Sequence, residues 1–128
     1  LLFISIWVCD TFAYIFGSKF GLSKIAPSVS PNKTWFGCIS GYMGVSVVII
    51  CLYYLKYLDA LGLVDIFVIS IILGVVSQIG DLLESFIKRE ADIKDTSNIL
   101  LGHGGFLDRF DSISFAAPFY MIYILNFL

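Results

Sequence analysis

An uncharged apolar run, residues 34–55, constrains the fold of this chain more than any other feature of its sequence. The run is long enough to cross the apolar core of a bilayer as one helix. Three further apolar segments accompany it, at residues 1–16, 61–85 and 108–128. A strand alone cannot satisfy its backbone in lipid, and the alternating pattern of an outer-membrane barrel is not seen in the sequence. The sequence therefore predicts an all-α fold, a polytopic integral membrane helix bundle with about four transmembrane helices.

Composition supports the same class and excludes others. Hydrophobic residues make up 59% of the chain and charged residues 14%, whereas a soluble domain is about half apolar and about a quarter charged. The basic residues are few and interleaved with acids, so no nucleic-acid partner is expected. The three cysteines lie in apolar stretches without CxxC spacing, which argues against a thiolate metal site. The chain opens on Leu1 inside an apolar run, so we expect it to be part of a longer protein rather than to start with a signal peptide.

Two polar loops, residues 17–33 and 86–107, separate the apolar segments. Every Lys and Arg except Lys56 lies in or beside these loops. Because two spans separate them, both loops return to the same side of the membrane, and the positive-inside rule assigns that side to the cytoplasm. We therefore expect an integral membrane protein, in the inner or cell membrane if bacterial, with its functional site on the cytoplasmic side.

The end of the third apolar segment carries a polar stripe at helical spacing. Its members recur at steps of three and four residues: Gln78, Asp81, Ser85 and Lys88. One interpretation is a helix end that emerges into water, with Glu84 and Lys88 as an i,i+4 ion pair. That interpretation explains Lys88 and Arg89 well, but it explains Asp81 poorly, because Asp81 ends a long apolar run. Charged groups beside a bilayer are costly and usually functional.

Asp108 and Asp111 are the strongest candidates for metal ligands. If the fourth helix starts near Leu107, their spacing of three places both carboxylates on one face of it. Either one alone could cap that helix. Together, beside Arg109, they suit Mg²⁺, which takes carboxylates and completes its shell with water and phosphate oxygens. Asp81 can supply a third ligand, and Asp10, an acid within an apolar run, is expected to face the protein interior, a cation or a water-filled cavity.

Two stretches suit phosphate. His103 is flanked by glycines, including Gly104 and Gly105, which let backbone N–H groups approach an anion. We favour phosphate contact or loop positioning for His103 over a general base. Residues 30–34 lead into the second helix, and Lys33 beside a helix N-terminus is typical of a phosphate site. The same stretch also suits a helix cap, and the sequence does not separate the two interpretations.

Residues 10–111 resemble the phosphatidate cytidylyltransferase family, also called CDP-diacylglycerol synthase. The resemblance is carried first by Ser85-x-x-Lys88-Arg89, by Lys94-Asp95-x-Ser97 and by His103-Gly104-Gly105-Phe106-x-Asp108-Arg109-Phe110-Asp111. A second landmark lies upstream, in Asp10-Thr11-Phe12-Ala13-Tyr14, Ala26-Pro27 and Ser30-Pro31-Asn32-Lys33-Thr34. The sequence departs from the family pattern at Leu101, where proline is usual, and at Phe36, where glutamate is usual.

The resemblance implies an integral membrane enzyme, a nucleotidyltransferase that joins CTP to phosphatidic acid and gives CDP-diacylglycerol and pyrophosphate. It implies Mg²⁺ as cofactor, with a second cation near Asp10 or Asp81. The implied catalytic residues are Asp81, Asp108 and Asp111 as metal ligands, with Lys88 and Arg89. The implied substrate and phosphate contacts are Ser30, Lys33, Thr34, Lys94, His103, Gly104, Gly105 and Arg109.

Two other functions compete with this one. A CTP-dependent lipid kinase of the polyprenol or phytol type would transfer the γ-phosphoryl group to an alcohol and release CDP. An ion-coupled transporter would use Asp10 and the acidic cluster as an ion path, although the second and fourth spans carry no charge at their centres. A homodimer is expected only from the small residues, such as Gly37 and Gly41, on the helix faces.

Overall fold

The computed structural model describes residues 1–58, 60–91 and 111–127. Within these ranges the chain forms helices and one short β-hairpin, which lies between the first two helices. The elements are α1 (Leu2–Phe20), β1 (Lys24–Ala26), β2 (Ser30–Thr34), α2 (Trp35–Tyr54), α3 (Leu63–Ile71), a π-helical turn (Ile72–Val76), α4 (Ser77–Glu90) and α5 (Asp111–Phe127).

The described helices have the length and composition of membrane spans. Three are long and apolar enough to cross a bilayer: Leu2–Phe20, Trp35–Tyr54 and the continuous Leu63–Glu90. Residues 112–127 form a shorter apolar helix. Many large apolar side chains on the helices are exposed, among them Trp7, Met43 and Phe67, as expected for helices that face lipid. The prediction of a helical membrane bundle is confirmed.

α1 and α2 pack closely through glycines. A Cβ atom at Gly37 would lie 2.8 Å from the Ala13 carbonyl oxygen, and one at Gly41 would lie 3.0 Å from the Cys9 carbonyl oxygen. Ser40 Oγ also donates a hydrogen bond to the Phe12 carbonyl at 3.3 Å. The glycine face of α2 is therefore used within the chain, and the homodimer stays a prediction that these contacts do not address.

α5 runs antiparallel to the long helix formed by α3, the π-turn and α4. Near the start of α5, Phe115 lies against Gly80, where a Cβ atom would overlap the phenylalanine side chain. Near its end, the Tyr123 hydroxyl donates to Asp65 Oδ1 at 2.6 Å, and the other oxygen of Asp65 accepts the Gly62 N–H at 2.7 Å. The start of α5 thus lies at the same end of the bundle as α4.

The loop that was predicted for residues 17–33 is partly regular. α1 continues to Phe20, where the Phe16 and Phe20 rings stack with centroids 6.4 Å apart, and the helix ends before Gly21. β1 and β2 then form an antiparallel hairpin with an irregular register. Short strands of this kind lack the alternation of apolar and polar residues that indicates a strand in a sequence. The prediction of an all-α fold therefore omitted them.

Candidate active site

A cavity of about 270 Å³ lies between α1, the hairpin, α2 and α4. It gathers five residues that the sequence analysis singled out, from segments far apart in the chain. They are Asp10, Ser30, Lys33, Thr34 and Asp81. The cavity therefore unites the upstream landmark with the first acid of the polar stripe on α4.

An ion pair crosses this cavity. Lys33 Nζ lies 2.6 Å from Asp81 Oδ2, and the two side chains are 23% and 29% exposed. The nitrogen atom itself is buried and, among the described residues, has no partner with hydrogen-bond geometry. We treat the contact as an ion pair because charge attraction at this distance does not depend on one bond angle. The Lys33 ammonium group and the Asp81 carboxylate thus neutralise each other.

Thr34 ends β2 and caps α2. Its Oγ1 accepts the Gly37 N–H at 3.1 Å and lies 3.5 Å from the Gly17 carbonyl oxygen, to which it donates. The side chain is buried and also lines the cavity. The capping interpretation of residues 30–34 is therefore confirmed for Thr34, and the cap directs β2 so that Lys33 reaches α4.

Lys88 and Arg89 do not line the cavity. Lys88 Nζ pairs with Glu84 Oε1 at 3.1 Å, the i,i+4 pair considered from the sequence. Arg89 Nε donates to the Val29 carbonyl oxygen at 3.3 Å and so ties the hairpin to the end of α4. The Arg89 bond and the Lys33–Asp81 pair place the hairpin and the end of α4 at one end of the bundle.

The donor set of the cavity fits a hard divalent cation only in part. Asp10 and Asp81 supply carboxylate oxygens, the ligands that Mg²⁺ prefers. Within residues 1–58, 60–91 and 111–127, however, no group of three or more His, Cys, Asp or Glu side chains could hold a metal. Further ligands would have to come from water, from substrate phosphates or from residues beyond these ranges, and the start of α5, at Asp111, lies at the same end of the bundle.

Several predicted site residues lie outside the described residues. They are Lys94, His103, Gly104, Gly105, Asp108 and Arg109, together with the side chain of Asp111 and the departure at Leu101. The other departure, Phe36, is described. It is 47% exposed and packs against Phe20, with ring centroids 5.8 Å apart, rather than lining the cavity.

The cavity also contains residues that were not assigned to the site from the sequence: Tyr14, Asn32, Cys38 and Gln78. Of these, Gln78 carried a usable signal. It lies three residues before Asp81 in the polar stripe of α4, so a helix places both on one face. Tyr14 and Asn32 lie within the upstream family landmark but were assigned no role of their own, since Asn32 resembles a turn residue. Cys38 had no signal, because it resembles a small buried hydrophobe.

Proteins named phosphatidate cytidylyltransferase are similar to this chain over most of its length. Phosphatidate cytidylyltransferase of Rickettsia typhi is 44% identical over 123 residues, which cover 92% of this chain and 54% of that protein. The enzyme of the same name from Staphylococcus haemolyticus is 42% identical, with 97% of this chain and 47% of the relative covered. That of Bacillus subtilis is 41% identical, with coverages of 91% and 43%. The chain thus spans about half the length of the curated relatives it matches.

The match to a protein family covers nearly the whole chain. The model of the cytidylyltransferase family matches residues 1–127, which include α1, the hairpin, α2, α4 and the start of α5. Four of these elements, α1, the hairpin, α2 and α4, line the cavity with its Lys33–Asp81 pair. The chain belongs to the cytidylyltransferase family.

Proposed function

We propose that the protein transfers the cytidylyl group of CTP to phosphatidic acid, giving CDP-diacylglycerol and pyrophosphate in phospholipid biosynthesis. The observation that carries the proposal is the cavity, in which Lys33 faces Asp81 at 2.6 Å beside Asp10. Membership of the cytidylyltransferase family and the names of its relatives support the same reaction.

The reaction needs positioning and charge neutralisation more than acid–base chemistry. An oxygen of the phosphatidate monoester, already ionised near neutral pH, attacks the α-phosphorus of CTP. The new P–O bond forms as the bond from the α-phosphorus to the bridging oxygen breaks, and pyrophosphate leaves with that electron pair. Negative charge spreads over the phosphoryl oxygens, where a fixed cation stabilises it most.

Lys33 is placed to provide such a cation. The Asp81 carboxylate neutralises the charge of Lys33 in the structure. When a triphosphate enters, the ammonium group can exchange the carboxylate for phosphate oxygens, and Asp81 is then free for a metal ion. We propose Asp81 and Asp10 as ligands from the described residues, with Asp108 and Asp111 completing the set. Mg²⁺ bound there would neutralise the triphosphate and polarise the α-phosphoryl group.

We place this site at the cytoplasmic face of the membrane. The basic residues of the hairpin and of α4 lie at one end of the bundle, which the positive-inside rule assigns to the cytoplasm. CTP reaches that face from water, whereas phosphatidic acid arrives within the bilayer. His103, Gly104, Gly105, Lys94 and Arg109 are proposed as further phosphate contacts by their match to the family motif alone.

Pyrophosphate release tests the proposal. The full-length protein in detergent should release pyrophosphate from CTP only when Mg²⁺ and phosphatidic acid are both present. Asp81→Asn should lower the rate by about a hundredfold or more, whereas Glu90→Gln, an exposed acid on the same helix outside the cavity, should leave it within about twofold. Release of CDP instead of pyrophosphate would identify a lipid kinase and refute the proposal. CTP-independent ion flux in vesicles, without either product, would favour the transporter.

A further inference from the structure

Gln78 joins three helices at one wall of the cavity. Its Nε2 atom lies 2.8 Å from the Gly74 carbonyl oxygen in the π-turn and 3.1 Å from the Cys38 carbonyl oxygen in α2. The same atom lies 3.2 Å from Cys9 Sγ in α1. One side-chain amide is therefore in contact with every helix that contributes to the cavity.

The partners fix the orientation of this amide. Carbonyl oxygens only accept hydrogen bonds, so the NH₂ group must face Gly74 and Cys38, and its two hydrogens serve these two acceptors. The thiol of Cys9 is a weaker, additional neighbour. Gly41 leaves the necessary room, since a Cβ atom there would lie 3.0 Å from Nε2. The contacts thus form a specific junction rather than a general packing surface.

The groups held by this junction are direct neighbours of the proposed catalytic groups. Cys9 precedes Asp10, Cys38 lies one helical turn after Thr34, and Gln78 lies one turn before Asp81. The π-turn widens the helix at Gly74, and such turns interrupt the regular hydrogen-bond ladder and are frequent at functional sites. The amide of Gln78 satisfies the carbonyl oxygen of Gly74 at that irregular point.

We propose that Gln78 is a positioning residue, which sets the spacing of Asp10, Lys33 and Asp81 by linking α1, α2 and α4. It acts through these groups and makes no chemical step itself. Displacing a reacting group by about 1 Å can cost about a hundredfold in rate, and loss of the junction frees all three helices at once. The activity readout below rests on the proposed function, but the second readout does not.

The main test compares Gln78→Met with Ser70→Ala. Methionine keeps the length and bulk of glutamine but donates no hydrogen bond. Ser70 is a matched control because its buried Oγ donates to the Ile66 carbonyl oxygen at 2.7 Å, on the same continuous helix before the π-turn, and the residue does not line the cavity. We expect Gln78→Met to lower kcat about 10- to 100-fold with KM for CTP within about threefold. Ser70→Ala should leave kcat within about threefold, even if it lowers the melting temperature.

The second readout is the reactivity of the Cys9 thiol without any substrate. Cys9 is fully buried and contacts the amide. In a Cys51→Ser background, we expect Gln78→Met to speed labelling of Cys9 by a small methanethiosulfonate at least about tenfold, located by mass spectrometry. Ser70→Ala should not speed it. If the protein lacks cytidylyltransferase activity altogether, this labelling still decides whether the junction exists.

Either of two kinetic results would overturn the proposal: kcat within threefold of wild type for Gln78→Met, or equal losses in Gln78→Met and Ser70→Ala. Unchanged labelling of Cys9 would do the same. If Gln78→Met does not fold, Gln78→Asn replaces it, because it keeps the amide but is one methylene too short to bridge α2 and the π-turn. An intermediate loss of kcat in Gln78→Asn supports the junction, and wild-type kcat refutes it.

Discussion

Replacing Lys33 by methionine should make the nucleotide-free protein bind a divalent cation more tightly at Asp81, although it removes a proposed phosphate contact. Lys33 Nζ lies 2.6 Å from Asp81 Oδ2. A metal ion that binds Asp81 must first displace that ammonium group and then bear its repulsion. Methionine has a similar length but no charge, so Asp81 in Lys33→Met has no competitor on the hairpin. The same variant should bind CTP more weakly, because a phosphate contact is lost.

The expected size follows from the geometry of the ion pair. At 2.6 Å, two unit charges attract by about 1.6 kcal/mol at the dielectric constant of water and by about 6 kcal/mol at an effective dielectric constant of about 20. Both side chains are about a quarter exposed, and forming the pair requires partial desolvation, so the net value should lie near the lower figure. A net ion-pair free energy of about 1–2 kcal/mol corresponds to an increase of about 5- to 30-fold in metal affinity when the pair is removed.

Mn²⁺ binding measured by electron paramagnetic resonance in nucleotide-free, full-length protein gives this affinity directly. Lys24→Met is the matched control: Lys24 lies on the other strand of the hairpin, is exposed and does not line the cavity. Its Mn²⁺ affinity should stay within about twofold of wild type, since a solvent-exposed charge is strongly screened. An unchanged or weaker affinity in Lys33→Met would show that the pair does not compete with the metal, and the exchange of partners at Asp81 would be refuted.

Two further substitutions test the packing that holds the site. Gly80→Val should lower stability by about 1–3 kcal/mol, measured as a loss of melting temperature in detergent, because its side chain would overlap Phe115 and separate α4 from α5; an unchanged melting temperature would contradict the antiparallel contact. Tyr123→Phe should cost about 1–2 kcal/mol of stability by removing the 2.6 Å hydrogen bond to Asp65, and the loss should largely disappear in an Asp65→Ala background, which lacks the acceptor. Because this contact joins the ends of α3 and α5 away from the cavity, the rate of pyrophosphate release should not change.

The sequence predicts which acidic residues line the cavity better than it predicts their partners. Asp81 stands out because it ends an apolar run, and Asp10 because it interrupts one; both line the cavity. The Lys88–Glu84 pair follows from helical periodicity, since it depends only on spacing within one helix. The Lys33–Asp81 pair depends on how a hairpin folds against a helix about fifty residues later, and no local pattern encodes such a contact.

Gln78 illustrates the same limit at a finer level. Its place in the polar stripe is visible in the sequence, but its role depends on the contact of its amide with the Gly74 carbonyl oxygen in the π-turn and on the missing Cβ atom at Gly41. The π-turn has no sequence signal of its own, and Gly41 stands out only as a small residue suited to helix packing. The hairpin is similar, because strands with Pro31 and Asn32 in them carry turn chemistry rather than strand propensity.

Arg89 can contribute to phosphate binding without entering the cavity. Its Nε is committed to the Val29 carbonyl oxygen at 3.3 Å, near the turn of the hairpin. Since Lys33 lies on the following strand, this bond and the Lys33–Asp81 pair hold the hairpin against α4 at two points. When phosphate draws Lys33 away from Asp81, the Arg89–Val29 bond still ties the hairpin to the end of α4. The hairpin can then exchange the Lys33–Asp81 contact for a substrate contact while the Arg89–Val29 bond keeps it against α4. This explains why Arg89 lies outside the cavity at that position.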